Sequence, residues 1–221
     1  WDIIEYPLSS GESGGVVDPN YLTTLDRFAQ WYRQQPKVIH VGSIADTMKR
    51  LNRDMHGGDE TYHRIPDSRE LGAQYLLFYE LSLPFGHDLT NVIDVDRDAS
   101  RFTVMFESMS AKELHEIDEK ASQWLRANAP PSMHISGVGL SLIWAEITHR
   151  NIRSMLKGSL GALLLISIIM TAALRNLKLG LISLVPNLVP PAMAFGIWGF
   201  LNGQVGLALS VVVAMTIGIV V

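Results

Sequence analysis

The sequence predicts an α+β domain followed by an all-α bundle of three transmembrane helices. From Leu179 to Val221 the chain contains no Asp, Glu, Lys, Arg or His, and this run exceeds the roughly 20 apolar residues that one bilayer crossing needs. All 22 acidic residues instead lie at or before Glu146. In that region, strand-like segments alternate with amphipathic helical patterns. We therefore divide the chain into domains 1–141 and 142–221.

The first half of the α+β domain is predicted to contain two helices and a strand. Asp18-Pro19 indicates a helix start, because proline is favoured at the first helical position. Apolar residues then recur at helical spacing until Pro36 ends the pattern. Lys37–Val41 is typical of a short strand, and a second helix is expected over about 44–54.

The next segments predict a helix and a hairpin. Asp67 is expected to open the helix, with Glu70 three residues later at the capping-box position. Val92–Asp96 and Arg101–Glu107 are the predicted hairpin strands, because apolar and polar residues alternate along the second of them.

The end of the domain predicts one more helix and one more strand. Ser110 and Glu113 form a second capping box before an apolar stripe, and Pro130-Pro131 ends that helix. Met133–Ser136 is the predicted strand. Strands paired around amphipathic helices indicate an α+β sandwich of the split βαβ kind. A further helix, Leu140–Lys157, is expected to lead directly into the membrane.

The three membrane helices are expected over about 156–174, 179–201 and 206–221, the last being truncated before it completes a crossing. The chain also begins with Trp1 and not with Met. Both ends are therefore expected to be cuts in a longer protein. Proline removes a backbone donor and kinks a helix, whereas glycine permits close helix contact. The predicted kink and packing residues are Pro186, Asn187, Pro190, Gly196 and Gly218. A purely structural kink and a moving, pathway-lining element both fit this pattern.

Composition excludes several classes of function. The chain contains no Cys, which excludes disulfides and thiolate chemistry, and its net charge of −4 gives no basic surplus for nucleic acid. His115-Glu116 lacks the second His of a zinc helix, since position 119 is Glu119. His56, Asp59 and His63 have ligand-like side chains, but a solvated polar loop explains them better. We predict no catalytic residue, no metal site and no enzymatic activity.

Four stretches carry a resemblance to a known family. Residues 175–190 resemble the junction between the second and third helices in one half of a resistance–nodulation–division (RND) exporter. The periplasmic porter domain of its hydrophobe exporter branch, often described with the mycobacterial large membrane proteins, is similar to residues 71–86, 43–52 and 144–152. The resemblance implies that 1–141 is a partial porter domain and that the chain is a fragment of one half, which we assign to the second half.

The resemblance also implies a function and a location. Such exporters use the proton gradient, without a bound cofactor, to move hydrophobic or lipid-like molecules across the bacterial inner membrane. Residues 1–141 would lie in the periplasm and Arg175–Lys178 in the cytoplasm. The acidic proton-relay pair would follow Val221. The implied partners are membrane lipids, a hydrophobic small-molecule or lipid substrate, the missing half of the chain, and a homo-oligomer or a periplasmic partner.

The sequence leaves two alternatives to the exporter function and gives one candidate site for substrate contact. The second hypothesis is a non-transporting membrane scaffold or regulator that senses lipids or sterols. The third is an enzyme tethered by membrane helices. For an exporter, the candidate substrate-contact residues are Tyr75, Phe78, Tyr79 and Phe85. Core packing explains the same residues, because an amphipathic helix needs apolar side chains on one face.

Overall fold

A computed structural model of the chain describes residues 1–84 and 88–175, together with positions 178, 182, 189, 192, 193, 196–198, 200 and 211. The chain forms two compact units, Trp1–Ala145 and Glu146–Val221. The first unit has mixed α/β structure around a small antiparallel sheet. The described part of the second unit is helical.

The sheet of the first unit has three strands in the order β1 (Asp2–Ser9), β3 (Ala99–Phe106), β2 (Val38–Gly42). β1 and β2 both pair antiparallel with β3, so they are parallel to each other. Helix α1 (Pro19–Arg33) connects them. Two parallel strands joined by a helix, with a third strand inserted between them, form the predicted split βαβ arrangement.

β1 was not predicted, and the expected hairpin is shorter than predicted. β1 pairs with the whole length of β3 along one edge, and β2 pairs with the second half of β3 along the other edge. The predicted strand Val92–Asp96 contributes only a bridge between Ile93 and Ser100, on the β2 side, since the other side of Ser100 pairs with β1. The hairpin prediction was right for β3 but gave its partner too much length, because β2 occupies the rest of that edge.

Two further local predictions need correction. Residues Met133–Ser136 do not form a strand: Pro131–Met133 is a 3-10 turn, and the nearest strand-like contact in this segment is a bridge between Glu5 and Val138. Helix α3 (Arg69–Ser82) is capped by Ser68, whose hydroxyl accepts a hydrogen bond from the Leu71 amide, and not by Asp67. Serine and aspartate are equally good caps, so local sequence did not decide between them.

The other helices of the first unit begin as predicted. The Asp18 carboxylate caps α1, α2 spans Ile44–Met55, and α4 spans Ala111–Asn128. Both hydrogen bonds of the Ser110–Glu113 capping box are present. These helices pack on the sheet through their predicted apolar faces.

The core between sheet and helices is aromatic. Fully buried rings come from β1, α1 and β3, and the closest pair, Phe28 and Phe102, has ring centroids 4.8 Å apart. Burial of each large side chain contributes about 1.5–3 kcal/mol. The predicted apolar face of β3 is confirmed, since Phe102, Val104 and Phe106 are all fully buried.

Helix α5 is continuous over Leu140–Leu174. Residues 140–145 belong to the first unit, where Ala145 is buried in the core, and 146–174 belong to the second. Within the described ranges, α5 is the one helix long and apolar enough to cross a membrane. Its polar Ser167 and Thr171 hydroxyls donate to the carbonyls of Leu163 and Ser167, which satisfies them within the helix. The predicted helices 179–201 and 206–221 fall mainly outside the described residues.

Candidate functional site

Helix α3 has one buried face and one exposed apolar face. Gly72, Tyr75 and Leu76 are buried against the rest of the unit. Leu77, Phe78 and Leu81 are instead 51%, 54% and 74% exposed. Because they lie on one side of the helix, they form a candidate surface for an apolar ligand or partner. We call these three residues the α3 apolar face.

The four candidate substrate-contact residues occupy different environments. Tyr75 is buried, and its hydroxyl donates to Oδ1 of Asn52 at 3.2 Å. Tyr79 is partly buried against the core, whereas Phe78 is exposed. Phe85 lies outside the described residues. The structure thus assigns Tyr75 and Tyr79 packing contacts, and substrate contact stays a prediction for all four.

An open cavity of about 360 Å³ lies beside α3. Its apolar lining is formed by Val16, Val17, Ala73 and Leu76. The other lining residues are Gly14, Arg69, Glu70 and Arg97. Arg69 and Glu70 lie in the first turn of α3, and Arg97 lies in the turn before β3. These arginines are 28 positions apart in the sequence, and no local pattern related them.

Each arginine also contacts a carboxylate. Nη1 of Arg69 lies 2.6 Å from Oε1 of Glu12, and Nη2 donates to the Ser13 carbonyl at 3.0 Å. Nη2 of Arg97 donates to both carboxylate oxygens of Glu80, at 2.9 and 2.8 Å. The pairs are partly exposed, and exposed ion pairs contribute only about 0–1 kcal/mol each. Both arginines are thus already paired with carboxylates, and Glu70 adds a third carboxylate beside them.

The walls of the cavity are fixed by backbone contacts. The Gly14 amide donates to the Asp96 carbonyl at 3.1 Å, and the Val16 amide donates to the Arg97 carbonyl at 3.2 Å. A Cβ at Gly72 would lie only 3.0 Å from the Val17 carbonyl oxygen, so glycine permits α3 to pack closely here. The cavity is therefore preformed.

A second polar cluster lies inside the unit. The Tyr6 hydroxyl donates to Oδ1 of Asp118 at 3.0 Å and lies 2.5 Å from the Tyr32 hydroxyl. Burial, followed by the nearby Tyr32 and Asp118, raises the pKa of Tyr6 well above its usual value, so Tyr6 keeps its proton. The same Asp118 oxygen accepts from the Gly137 amide at 2.7 Å. This cluster joins β1, α1 and α4 to the segment before α5.

The histidines considered as ligands have other contacts. The His56 ring stacks on Tyr62 with centroids 3.6 Å apart, and Asp59 accepts hydrogen bonds from Thr61. His115 lies 3.3 Å from Glu119 on an exposed helix face. Among the residues that the structure describes, no group of three or more His, Asp or Glu side chains is arranged to hold a metal ion.

The predicted membrane-helix residues are mostly beyond the structural description. Gly196 lies at an exposed helical position. Pro186, Asn187, Pro190 and Gly218 are outside the described residues. Their role in kinking or packing stays a prediction.

Comparison with known proteins identifies the family. A model of the MMPL family matches residues 27–221, which is most of the chain. The chain belongs to the MMPL family. No curated protein matches the chain. Membership of the MMPL family indicates a membrane transporter of the RND-like type, and the apolar helix α5 agrees with a membrane location.

The MMPL match starts inside α1, so β1 lies outside the matched residues. β1 is nevertheless integral to the fold, because Ile4, Tyr6 and Leu8 are fully buried. Their alternation with more exposed residues is the sequence signal that identifies this strand.

Proposed function

We propose that this chain is part of a proton-driven exporter of hydrophobic or lipid-like molecules in a bacterial inner membrane. Family membership supports transport. The observation that carries the substrate class is the α3 apolar face, since large apolar side chains exposed to water favour an apolar ligand.

The proposal places the first unit on the periplasmic side, where the α3 apolar face would receive substrate. The helices of the complete protein would convert proton movement into motion of this unit. We propose no enzymatic step and no bound cofactor, since the proton gradient supplies the energy. Membrane lipids, the other half of the protein and a further copy or a periplasmic protein are the proposed partners.

Within this proposal, Phe78 contacts substrate directly, together with Leu77 and Leu81. Tyr75 and Tyr79 support the helix from its inner side. Covering three half-exposed side chains with substrate would contribute about 2–4 kcal/mol, roughly half of what their full burial gives. Replacing them with serine should therefore weaken apparent substrate affinity at least about tenfold.

The test uses the complete transporter in proteoliposomes with an imposed pH gradient. Export of a fluorescently labelled phospholipid is measured for the Leu77→Ser, Phe78→Ser, Leu81→Ser triple variant. Ile39→Ser is the matched control, because Ile39 is 51% exposed on β2, away from α3. The triple variant should lose export while the control retains it.

Two results would contradict the proposal. Equal export by the triple variant and the control would remove the α3 apolar face from the substrate path. Lipid binding without any transport dependent on the pH gradient would support the lipid-sensing scaffold or regulator instead.

A further inference from the structure

We propose that three cations on α5 bind the headgroup of an anionic phospholipid of the surrounding membrane, with the acyl chains of that lipid lying along the helix. The cations are Arg150, Arg153 and Lys157, which we call the α5 cationic stripe. The lipid is a resident ligand and not the exported molecule, so the inference goes beyond the proposed function. It requires that α5 crosses the membrane, which family membership and the apolar length of α5 support.

The three cations share one face of α5. Positions 150, 153 and 157 are separated by three and four residues, and residues at this spacing are neighbours on a helix surface. All three are exposed. At about 1.5 Å per residue the stripe extends roughly 10 Å along the helix axis. Guanidinium and ammonium groups carry several N–H donors each, so the stripe can contact more than one oxygen of a phosphate headgroup.

The second unit supplies little negative charge of its own. Glu146–Val221 contains five Lys or Arg residues but one acidic residue, Glu146. Oε1 of Glu146 lies 2.6 Å from Nε of Arg150, the member of the stripe farthest from the uncharged part of α5. Within residues 1–84 and 88–175, no ion pair involves Arg153 or Lys157. Their negative partner is therefore expected from outside this unit.

The position of the stripe along α5 matches the depth of lipid headgroups. Gly158–Leu174 contains no charged residue and extends roughly 25 Å, which is close to the hydrocarbon thickness of about 30 Å. Lys157 and Arg153 would therefore lie among the lipid phosphates, with Arg150 at the outer edge of the headgroup layer. Basic residues next to a membrane helix attract anionic lipids. Depth and charge together favour a lipid headgroup as the partner.

The same face of α5 continues beyond the stripe as an apolar surface. Gly161, Leu164 and Ile168 follow Lys157 at steps of four, three and four residues. Leu164 and Ile168 are exposed, and a Cβ at Gly161 would have no atom within 4 Å apart from the local helix. An acyl chain can therefore pass over the glycine and cover both side chains. Cations followed by an apolar face suit a phospholipid better than a free anion.

The test compares the binding of two lipids to the full chain, residues 1–221, in neutral-detergent micelles. Dioleoylphosphatidylglycerol and dioleoylphosphatidylcholine are titrated separately, and bound lipids are counted by native mass spectrometry. Each cation near an anionic lipid surface strengthens binding about fivefold. The chain should therefore bind phosphatidylglycerol at least about tenfold more tightly than phosphatidylcholine. Equal affinity for the two lipids would overturn the proposal.

Two triple variants locate the preference. The stripe variant is Arg150→Gln, Arg153→Gln, Lys157→Gln, and it should bind both lipids equally. The matched control changes three exposed cations of the first unit by the same charge: Arg50→Gln, Lys112→Gln and Lys120→Gln. The control should keep the preference for phosphatidylglycerol. Equal loss in both variants would show a response to net charge alone and overturn the site, and so would a preference that survives in the stripe variant.

Amide hydrogen exchange of the unchanged chain keeps the test independent of folding in the stripe variant. Phosphatidylglycerol should slow exchange in peptides that cover residues 147–161 and leave α4 unchanged. Slowing that is no greater over 147–161 than over α4 would refute the site. Inorganic phosphate at the same concentration should not displace the lipid, and equal competition would show a free-anion site and overturn the lipid proposal.

The outcome is separable from that of the proposed function. The binding assay needs no transport, so loss of the lipid preference with normal export would remove the resident lipid and leave the export proposal intact. The Leu77→Ser, Phe78→Ser, Leu81→Ser variant, which tests export, should keep its preference for phosphatidylglycerol. Loss of that preference in this variant would place the lipid on α3 and overturn the α5 site.

Discussion

Asp118 is expected to hold the segment before the membrane helix, and its removal gives a sharp test. One of its carboxylate oxygens accepts hydrogen bonds from the Tyr6 hydroxyl at 3.0 Å and from the Gly137 amide at 2.7 Å. Because Tyr6 donates to Asp118, its short contact with Tyr32 requires Tyr32 to donate to Tyr6. Asp118→Ala would leave the Gly137 amide and the Tyr6 hydroxyl without this acceptor.

The stability lost in Asp118→Ala can be worked out from these two hydrogen bonds. A hydrogen bond to a charged group contributes about 1.5–3 kcal/mol. Asp118 is only partly buried, so water can replace some of this, and we expect a total loss of about 2–4 kcal/mol. Space around Gly137 is limited, since a Cβ there would lie 2.4 Å from an Ile4 methyl group and 2.7 Å from Oδ1 of Asp118. The segment therefore has little room to find a new arrangement.

Amide hydrogen exchange of the full chain measures this loss locally. Peptides that cover β1 and residues 134–139 should exchange about 30-fold to 900-fold faster in Asp118→Ala, which corresponds to the expected 2–4 kcal/mol. Glu119→Ala is the control, because Glu119 is the next residue of α4 and its pair with His115 is exposed. Exchange in Asp118→Ala that matches the control would refute the reasoning.

Two other predictions concern pH and topology. Hydrogen bonds from Lys37 and from the Ser110 amide and hydroxyl lower the pKa of Glu113 to about 2, so the unfolded chain binds more protons than the folded one between about pH 4.3 and 2. The free energy of unfolding should therefore fall as pH drops through this window. The urea midpoint should fall less with pH in Glu113→Gln than in the unchanged protein. The same pH dependence of the midpoint in both would contradict this role of Glu113. Because the chain has no Cys, Lys112→Cys should react in intact cells with a membrane-impermeant maleimide, and Arg175→Cys should not. The reverse labelling pattern would invert the proposed orientation.

Local sequence signals predicted the elements that depend on neighbouring residues. The caps at Asp18 and at Ser110, the inward face of β3 and the apolar character of α5 are all set by side chains within a few positions. Such signals are readable because helical and strand periodicity impose them directly on the sequence. The family resemblance was likewise carried by short contiguous stretches.

Strand pairing could not be predicted in the same way. β3 pairs along its whole length with β1, about 100 residues earlier, whereas the adjacent Val92–Asp96 contributes only the bridge between Ile93 and Ser100. Choosing a partner depends on which segment fills each sheet edge and buries its apolar side chains, and this is a property of the whole unit. The division of α3 into a buried and an exposed face was also ambiguous, because both faces contain large apolar residues.

The sequence by itself determined that a mixed α/β unit comes before an apolar helix long enough to cross a membrane, because charge and hydrophobicity separate along the chain in the way that water and lipid require. Only the tertiary structure brought Arg69 and Arg97 to one cavity and joined Tyr6, Tyr32 and Asp118 in one hydrogen-bonded cluster. Contacts between residues far apart in sequence arise from packing of complete elements, and no periodicity within a single element encodes them.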